Sequence, residues 1–435
     1  MGSAIEVVRF ILDLGAVVVL PIIIILLGVI FGMSFSRAFR SGIMVGVGFL
    51  GIFLILGLLL DSLGSVAQEM VQNYGLSLEV VDVGWPLAQE MSLALPFVPA
   101  IFGAVLILNL VLLVLGRTST LNLDLWSYWS FSLAGTLAYA LSKSYVVGLL
   151  VALATAAIIF LLADRSAPLV KDFFGLEGVS LPHTATVGWF PLTMALNWLL
   201  ERIPGIKRIH LDLEGMKKRL GVWGEPVVIG LLLGVVLAIL ARAPLFFEDV
   251  GANVAFTLLL GMQMAAVIVL LPRMVEVLKE GLLPLVQEIR AFLARKFPGR
   301  KIYLGLDASL ALGHPAVLIL GLLMVPLTLL LALGLGALGV NRMLPFADLA
   351  LLPFFMIWCV APHGGNLFRA LLIGVVIMGL ILFISTDLAP LFKETGEMAG
   401  LSFPEGYGEV SSLDAGSHVV PWLLLKVISP FYGFD

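Results

Sequence analysis

Hydrophobic residues occur in long runs that are separated by short polar segments along almost the whole chain. The runs that carry little or no charge are 15–32, 42–60, 101–115, 146–162, 227–241, 254–271, 317–338 and 370–384. About 20 apolar residues are needed to cross a hydrocarbon core about 30 Å thick, because an α-helix rises about 1.5 Å per residue. The pattern therefore predicts an all-α polytopic membrane protein.

The composition of the chain agrees with this prediction. Of the 435 residues, 60% are apolar and only 12% are charged, and the mean hydropathy is +1.11. Soluble domains carry about 25% charged residues, so this chain has too few charges to cover a water-exposed surface of its size. The single cysteine, Cys359, excludes an internal disulfide, and the sequence lacks a phosphate-binding loop, an H-E-x-x-H motif and a serine nucleophile elbow. We expect no metal, no cofactor, no catalytic residue and no nucleic-acid partner.

Short motifs of the first half return in the second half in the same order. The pairs are Pro21 and Pro226, Asp82 and Asp307, Asp124 and Asp348, 178–182 and 400–404, and Trp198 and Trp422. Each half contains about five spanning segments, and an odd number of spans inverts the second copy relative to the first. We therefore predict a first repeat over 1–210, which ends in an interfacial amphipathic segment, and a second, inverted repeat over 211–435.

The distribution of basic residues provides an independent indication of inversion. Segment 62–97 contains no lysine or arginine, whereas its counterpart 273–302 contains seven. Segment 165–219 contains eight, whereas 388–425 contains only Lys393. Because lysine and arginine mark the cytoplasmic side, each segment and its counterpart are predicted to lie on opposite sides of the membrane, with the N-terminus outside.

Two aspartates stand at corresponding places in the two halves, each just before an apolar span. An ionisable side chain within a membrane is costly unless it is paired or faces a polar cavity, which makes it a candidate functional residue. We predict that they lie at the tips of re-entrant hairpins that line a substrate cavity. The Asp82 tip comprises Asp82, Val83, Gly84 and Trp85, and the Asp307 tip comprises Asp307, Ala308 and Ser309. The alternative interpretation is that both aspartates are solvated loop residues or helix N-caps.

Four further polar residues are candidate substrate contacts. His183 follows the motif 178–182, and His314 stands opposite Gln89 in the repeat. Carboxylates, imidazoles and amides together supply the donors and acceptors that the hydroxyl groups of a polyol require. Glu225 begins a span and is also explained as a favourable acid in the first helical turn. His183 is equally explained as an interfacial histidine that bonds to a backbone carbonyl, and His418 is expected at the interface without a role.

Motifs along nearly the whole chain resemble those of the galactitol-specific enzyme IIC of the sugar phosphotransferase system, in the ascorbate–galactitol superfamily. They are LDLGAVVVLPIIII (12–25), LLLDSLG (58–64), EVVDVGWP (79–86), FFGLEGVSLPH (173–183), ERIPGIKRI (201–209), GEPVVIGLLLG (224–234), GLDASLALGH (305–314), LPFADLA (344–350) and HGGNLFRALLIGVVIM (363–378). The resemblance implies a membrane permease subunit that carries a hexitol to the cytoplasm. There, a IIB partner that is itself phosphorylated through a IIA subunit would phosphorylate it.

The resemblance also implies a homodimer in the cytoplasmic membrane, with a core domain that moves against a dimerisation domain. In that arrangement the Asp82 and Asp307 tips and His183 would contact the substrate, and the phosphoryl donor would lie on the partner. The alternative function is an ion-coupled or uncoupled secondary transporter of a polyol or an ascorbate-like solute, because such transporters also use inverted repeats and acidic residues at the midplane. A membrane enzyme without transport is disfavoured because no catalytic constellation is present.

Overall fold

The computed structural model describes residues 15–296, 299–401, 403 and 408–432, which are overwhelmingly helical. The helices of the first half are α1 (Gly15–Phe31), α2 (Phe35–Asn73), α3 (Gly84–Ala94), α4 (Val98–Val114), α5 (Leu125–Ser142), α6 (Tyr145–Phe174), α7 (Thr184–Val187) and α8 (Phe190–Leu200). The short helices α9 (Pro204–Arg208) and α10 (Leu213–Leu220) lead into the second half. Its helices are α11 (Pro226–Arg242), α12 (Val250–Lys296), α13 (Pro315–Ala337), α14 (Leu352–Val360), α15 (Leu367–Asp387), α16 (Ala389–Met398) and α17 (Val419–Ile428).

Within the described ranges, six helices are long and apolar enough to cross a membrane, namely α2, α6, α11, α12, α13 and α15. Helices α3 and α4 together form a seventh candidate span, which is bent by 93° between them. The prediction of an all-α polytopic membrane protein is confirmed. The division at residue 210 and the inversion of the halves stay predictions, and part of the motif at 400–404 lies outside the described residues.

The longest helices, α2 and α12, pack against each other in antiparallel directions through small residues. A Cβ atom on Gly48 would lie 2.6 Å from Leu278, and one on Gly281 would lie 2.8 Å from the carbonyl oxygen of Ser41. Such close approach is possible only without a side chain, and close packing of this kind is what holds membrane helices together. The pair of helices forms one wall of the interior.

In the described ranges, six short strands form two small parallel sheets where the chain breaks its helices. The strands are β1 (Val80–Asp82), β2 (Thr120–Asn122), β3 (Val179–Ser180), β4 (Tyr303–Gly305), β5 (Met343–Leu344) and β6 (Glu409–Ser411). The first sheet has the order β5-β1-β6, and the second has the order β2-β4-β3. Because extended backbone within a membrane must satisfy its own hydrogen-bonding groups, this pairing is what allows the helices to break.

Each sheet combines strands from both halves of the chain. In the first sheet, Val81 of β1 pairs with Leu344 of β5 and with Val410 of β6. In the second sheet, Leu304 of β4 pairs with Leu121 of β2 and with Val179 of β3. The first half therefore contributes one strand to the first sheet and two to the second, and the second half does the reverse. The two halves are interlocked at both broken segments.

The connection between the halves is a series of short, exposed helices. Helix α10 has no buried residue among Leu213–Leu220, and Trp223 beyond it is 67% exposed. Hydrogen bonds attach the connection to the start of α15: Leu367 N donates to Leu211 O at 2.7 Å, and Asn366 Nδ2 donates to Ile209 O at 2.9 Å.

Candidate functional site

A cavity of about 170 Å³ lies where both sheets approach the middle of α2. Its lining residues come from α2, both tips, the start of α5, the segment after β3, the start of α14 and the segment before α17. They are Phe53, Leu56, Gly57, Leu60, Trp85, Trp126, Trp129, His183, Asp307, Ala350, Leu351, Phe354 and Asp414. The cavity thus combines many apolar groups with three ionisable side chains, as small-molecule sites generally do.

One wall of the cavity is a single face of α2. Phe53, Leu56, Gly57 and Leu60 line it, and their spacing of three and four residues places them on the same side of a helix. The opposite wall contains the polar groups and comes from the broken segments. The site therefore lies between the α2–α12 pair and the two interlocked sheets.

The Asp307 tip presents its carboxylate to the cavity. Asp307 follows β4 by two residues, and Leu306 N is held by Ser180 O of the second sheet at 3.0 Å. The carboxylate caps the 3-10 helix Ala308–Gly313, because its Oδ1 accepts a hydrogen bond from Ser309 N at 2.7 Å. That is the only hydrogen bond to this carboxylate among the described residues. Ala308 and Ser309 are fully buried behind Asp307 and do not line the cavity.

The Asp82 tip holds its carboxylate away from the cavity. Asp82 is 1% exposed. Its Oδ1 accepts hydrogen bonds from Gly84 N and Leu413 N, each at 3.2 Å, and its Oδ2 accepts from the backbone nitrogens of 346, 347 and 348 at 3.0–3.3 Å. Asp82 is thereby saturated by backbone amides, most of them from the second half of the chain.

Trp85 is the residue through which the Asp82 tip contributes to the cavity. Its backbone nitrogen donates to Asp348 Oδ1 at 2.9 Å, and Gly84 before it adopts φ +76°, a conformation that favours glycine. This turn directs the indole into the cavity, where it meets Trp126 edge to face with ring centroids 5.3 Å apart. Val83 stands one residue earlier and donates its backbone N–H to Ser411 O at 2.8 Å.

His183 enters the cavity directly after β3. Pro182, which precedes it, accepts a hydrogen bond from Ser127 Oγ at 2.7 Å, so the segment is attached to the start of α5. The imidazole is largely buried and stacks near Phe354, with ring centroids 6.1 Å apart. Its Nδ1 has no hydrogen-bond partner within the described part of the chain. A buried, unsatisfied ring nitrogen at the wall of a cavity is a position at which a ligand hydroxyl would bind favourably.

Sequence reasoning missed three cavity residues with hydrogen-bonding side chains, Trp126, Trp129 and Asp414. The two tryptophans are three residues apart at the start of α5, which Asp124 caps by accepting from Trp126 N at 2.9 Å. That spacing places both indoles on one helical face, and this was a usable signal next to the repeated Asp124. Asp414 carried no such signal, because its position depends on a hydrogen bond from its backbone nitrogen to Asp348 Oδ2 at 3.1 Å.

His418, which was expected at the membrane interface without a role, is buried within the protein. It is 2% exposed, and its Nε2 lies 3.7 Å from Asp414 Oδ1. Its ring is also 6.4 Å from that of Trp129. The polar segment after β6 folds inward and packs against the first sheet, which buries this histidine, and its place at the membrane interface stays a prediction.

Three further predicted site residues, all outside the two tips, also do not line the cavity. His314 stacks on Phe173 with ring centroids 4.2 Å apart and caps α13, since its Nδ1 accepts from Ala316 N at 3.3 Å. Glu225 pairs with Lys217 at 3.2 Å, at the start of α11. Gln89 lies on α3, where its backbone carbonyl accepts a hydrogen bond from the hydroxyl of Ser92 at 2.8 Å. The structure thus brings together Trp85, His183 and Asp307 but not these three.

The cavity can bind a small, uncharged solute that carries several hydroxyl groups. Two carboxylates supply acceptors, an imidazole supplies a donor or an acceptor, and the indole N–H groups are donors. The flat faces of three tryptophans provide apolar contact area for the carbon skeleton of such a solute.

Comparison with known proteins agrees with this chemistry. Residues 10–406 match the family model EIIC-GAT, described as the PTS system sugar-specific permease component, where PTS denotes the phosphotransferase system. The chain is 37% identical over 425 residues to the galactitol-specific EIIC component of the PTS of Escherichia coli strain K12, which covers 98% of this chain and 91% of that protein. It is 35% identical over 420 residues to a putative permease IIC component of the same strain, with 97% and 93% covered. The chain therefore belongs to the EIIC-GAT family of sugar-specific permease components of the phosphotransferase system.

Proposed function

We propose that this permease binds galactitol or a closely similar polyol in the central cavity and exposes it to the cytoplasm for phosphorylation by a IIB partner. The observation that carries the proposal is the convergence of His183, Asp307 and Asp414 with three indoles on one cavity, in a chain 37% identical to a galactitol-specific EIIC component. As a member of its family, the chain is a multi-pass protein of the cytoplasmic membrane and a permease subunit of the phosphotransferase system.

The charges of the cavity favour a neutral polyol over an acidic solute. Asp307 and Asp414 both line it, and His183 is the only lining residue that can carry a positive charge. An anion such as an ascorbate-like acid would meet two carboxylates in a region of low dielectric constant, where like charges repel strongly. A polyol hydroxyl, by contrast, donates to a carboxylate and accepts from an imidazole at the same time.

In this proposal the permease positions the polyol and does not itself supply the phosphoryl group. Phosphoryl transfer proceeds in line and depends largely on holding the nucleophile and the donor in register. In this proposal, Asp307, Asp414 and His183 fix the polyol so that one hydroxyl is presented to the phosphorylated IIB partner. The phosphoryl donor then resides on that partner.

Uptake of radiolabelled galactitol tests the proposal directly. Proteoliposomes that contain the permease, supplied on the cytoplasmic side with IIB, IIA, the general phosphotransferase components and phosphoenolpyruvate, are expected to accumulate galactitol phosphate. Omission of IIB should abolish accumulation. Accumulation of unmodified galactitol, with or without an ion gradient, would instead establish a secondary transporter.

A screen of polyols for thermal stabilisation would define the substrate class independently of transport. A ligand that binds the native state raises the unfolding temperature by mass action. Galactitol is expected to stabilise the protein more than ascorbate does, because ascorbate is an anion at neutral pH. A larger effect of ascorbate would contradict the assignment of a neutral solute.

We also propose that the two halves are inverted repeats and that the protein is a homodimer. The arrangement of the strands supports the repeat. The first strand of the first half, β1, lies between two strands of the second half, and the first strand of the second half, β4, lies between two strands of the first half. To test the inversion, single cysteines introduced at Asp249 and at Lys301 in a Cys359→Ser background should react with reagents added on opposite sides of the membrane.

To test the homodimer, light scattering of the protein in detergent should give twice the chain mass. The mass of a single chain would exclude the homodimer.

A further inference from the structure

His418 lies one turn beyond Asp414, at the point where α17 begins. The turn is the 3-10 helix Ala415–Ser417. Hydrogen bonds hold the backbone on both sides of it. Ser417 N donates to Asp414 O at 3.1 Å, which closes the turn. Trp422 N donates to His418 O at 3.0 Å in the first turn of α17. The backbone therefore keeps the side chains of Asp414 and His418 close together.

The carboxylate of Asp414 differs from those of the two tips, because no backbone amide in the described part of the chain donates to it. Its own backbone nitrogen donates to Asp348 Oδ2 at 3.1 Å, but that bond fixes only the main chain. The polar side-chain atom beside the carboxylate is His418 Nε2, 3.7 Å from Asp414 Oδ1. Whatever holds this carboxylate determines where its acceptor oxygens point, and the imidazole is the group placed to do so.

His418 is itself a buried imidazole whose hydrogen-bonding groups are unused. It is 2% exposed, and neither ring nitrogen has a hydrogen-bond partner in the ranges that the structure describes. The ring borders a small space whose other lining residues are all apolar or small, namely Leu133, Ala134, Leu137, Leu388, Ala415 and Pro421. A buried polar group without a partner destabilises the folded protein. Packing alone therefore does not account for a histidine at this position.

His418 stands behind the wall of the central cavity rather than in it. Asp414 and Trp129 line the cavity, and His418 contacts both, with its ring centroid 6.4 Å from that of Trp129. His418 is not among the lining residues. An effect of this imidazole on a ligand must therefore pass through one of these two side chains, and Asp414 is the one that can accept its proton.

We propose that His418 is a positioning residue of the polyol site, which donates from Nε2 to Asp414 and so orients this carboxylate toward a polyol hydroxyl. A small side-chain rotation would shorten the present separation to about 2.7–2.9 Å, the usual length of a charge-assisted hydrogen bond. Nε2 carries a proton in one neutral tautomer and in the cation, so the bond requires no particular charge on the ring. The inference rests on the proposed function, because it concerns the same site.

The physical benefit of such a bond is preorganisation. A carboxylate that is fixed before the ligand arrives loses less conformational freedom on binding, and this improves affinity. Asp307 is fixed by the backbone nitrogen of Ser309. In this proposal, His418 does for Asp414 what that amide does for Asp307, so both carboxylates of the cavity face the polyol in a defined direction.

Calorimetry of galactitol binding to the detergent-purified chain tests the proposal. His418→Leu removes the donor, so galactitol affinity should fall by about three- to tenfold. Its melting temperature should not fall, because the imidazole has no hydrogen bond to lose in the unliganded protein. His418→Gln keeps an N–H donor and should recover most of the affinity. A joint loss of melting temperature and affinity in His418→Leu, without recovery in His418→Gln, would make the role structural and overturn the proposal.

His210→Leu is the matched control. His210 Nε2 also lies near a carboxylate, 3.8 Å from Asp212 Oδ2, but this pair is on the surface and neither residue lines the cavity. The variant should bind galactitol as the wild type does. An equal loss of affinity in His210→Leu and His418→Leu would overturn the proposal, because the effect would not depend on the position of the histidine.

A double-mutant cycle with Asp414→Asn shows whether His418 acts through Asp414. In the Asp414→Asn background, His418→Leu should change galactitol affinity by less than about twofold, because the carboxylate that it orients is gone. A loss as large as in the single variant would overturn the positioning role. Galactitol binding by the wild type with unchanged affinity in His418→Leu would overturn this inference alone. No galactitol binding by the wild type would overturn the proposed function, and this inference with it.

Discussion

The Asp82 tip and the Asp307 tip place the same side chain in opposite circumstances. The Asp82 carboxylate accepts hydrogen bonds from five backbone amides and is 1% exposed. The Asp307 carboxylate accepts one, from Ser309 N, and lines the central cavity. Backbone amides that saturate a carboxylate leave little capacity for a ligand. We infer that the Asp82 carboxylate holds the structure around the cavity together, whereas the Asp307 carboxylate is placed to contact a ligand.

The difference arises from what each aspartate meets in the other half of the chain. Asp82 lies at the end of β1, between β5 and β6, and the turns after both of those strands direct their N–H groups at it. Asp307 lies two residues beyond β4, past the reach of the second sheet. A displacement of two residues along the chain therefore separates a carboxylate that backbone amides saturate from one that lines the cavity.

The largest expected effect is the loss of folded protein in Asp82→Ala. The substitution leaves five buried amides without an acceptor, and each unsatisfied buried donor costs about 1–3 kcal/mol. The combined cost of several such donors approaches the whole free energy of unfolding of a protein, about 5–15 kcal/mol. Size-exclusion chromatography of a fluorescent fusion should show no monodisperse species.

Asp82→Asn separates the structural role from a ligand role. It retains one acceptor oxygen and introduces an amide group next to N–H donors, so its melting temperature should fall while the protein still folds. If Asp82→Asn instead melted like the wild type and lost galactitol binding, Asp82 would be a substrate ligand, and the comparison between the tips would be wrong.

The next effect in size is the loss of substrate affinity in Asp307→Asn. A hydrogen bond to a charged group contributes about 1.5–3 kcal/mol, so galactitol affinity measured by calorimetry should fall by about 10- to 100-fold. The melting temperature should change little, because asparagine retains an oxygen that can accept from Ser309 N. His183→Ala should likewise weaken binding without preventing membrane insertion.

Asp249→Asn is the matched control for Asp307→Asn. Asp249 also accepts one backbone hydrogen bond near the start of a helix, from Ala252 N at 3.0 Å, but it is exposed and does not line the cavity. It should bind galactitol with wild-type affinity. An equal loss of galactitol affinity in the two variants would mean that Asp307 is not a specific substrate ligand.

The sequence was sufficient to predict the membrane class, the breaks at both tips, and the cavity residues Trp85, His183 and Asp307. Those predictions rest on local signals, such as a charged residue beside an apolar span. It could not distinguish Asp82 from Asp307, because four of the five amides that saturate Asp82 come from residues more than 260 positions later in the chain. Asp414 was missed for the same reason: a hydrogen bond to Asp348, itself buried by the first sheet, sets its place.

A smaller effect is expected from Trp85→Leu, which tests what the Asp82 tip contributes to the cavity. The indole of Trp85 meets that of Trp126 at 5.3 Å, and an aromatic pair contributes about 0.5–1.5 kcal/mol beyond its buried area. Galactitol affinity should fall by about two- to tenfold. Trp198→Leu, at a position 57% exposed on α8, should leave affinity unchanged. An unchanged affinity in Trp85→Leu would mean that the Asp82 tip only supports the site.

The smallest effects are expected from the two polar residues behind the tips, Gln89→Ala and His314→Asn. Neither side chain lines the cavity, and His314 is held by Phe173 and by its role as the cap of α13. Asparagine is a favourable helix N-cap, so His314→Asn should retain the cap and most of the stability. Galactitol affinity, again measured by calorimetry, should stay within about twofold in both variants. The corresponding change in binding free energy is well below the roughly 1.4 kcal/mol of a tenfold change in affinity. A tenfold loss in Gln89→Ala alone would show that the Asp82 tip reaches the substrate through a second side chain, and one in both variants would show that the site extends behind both tips.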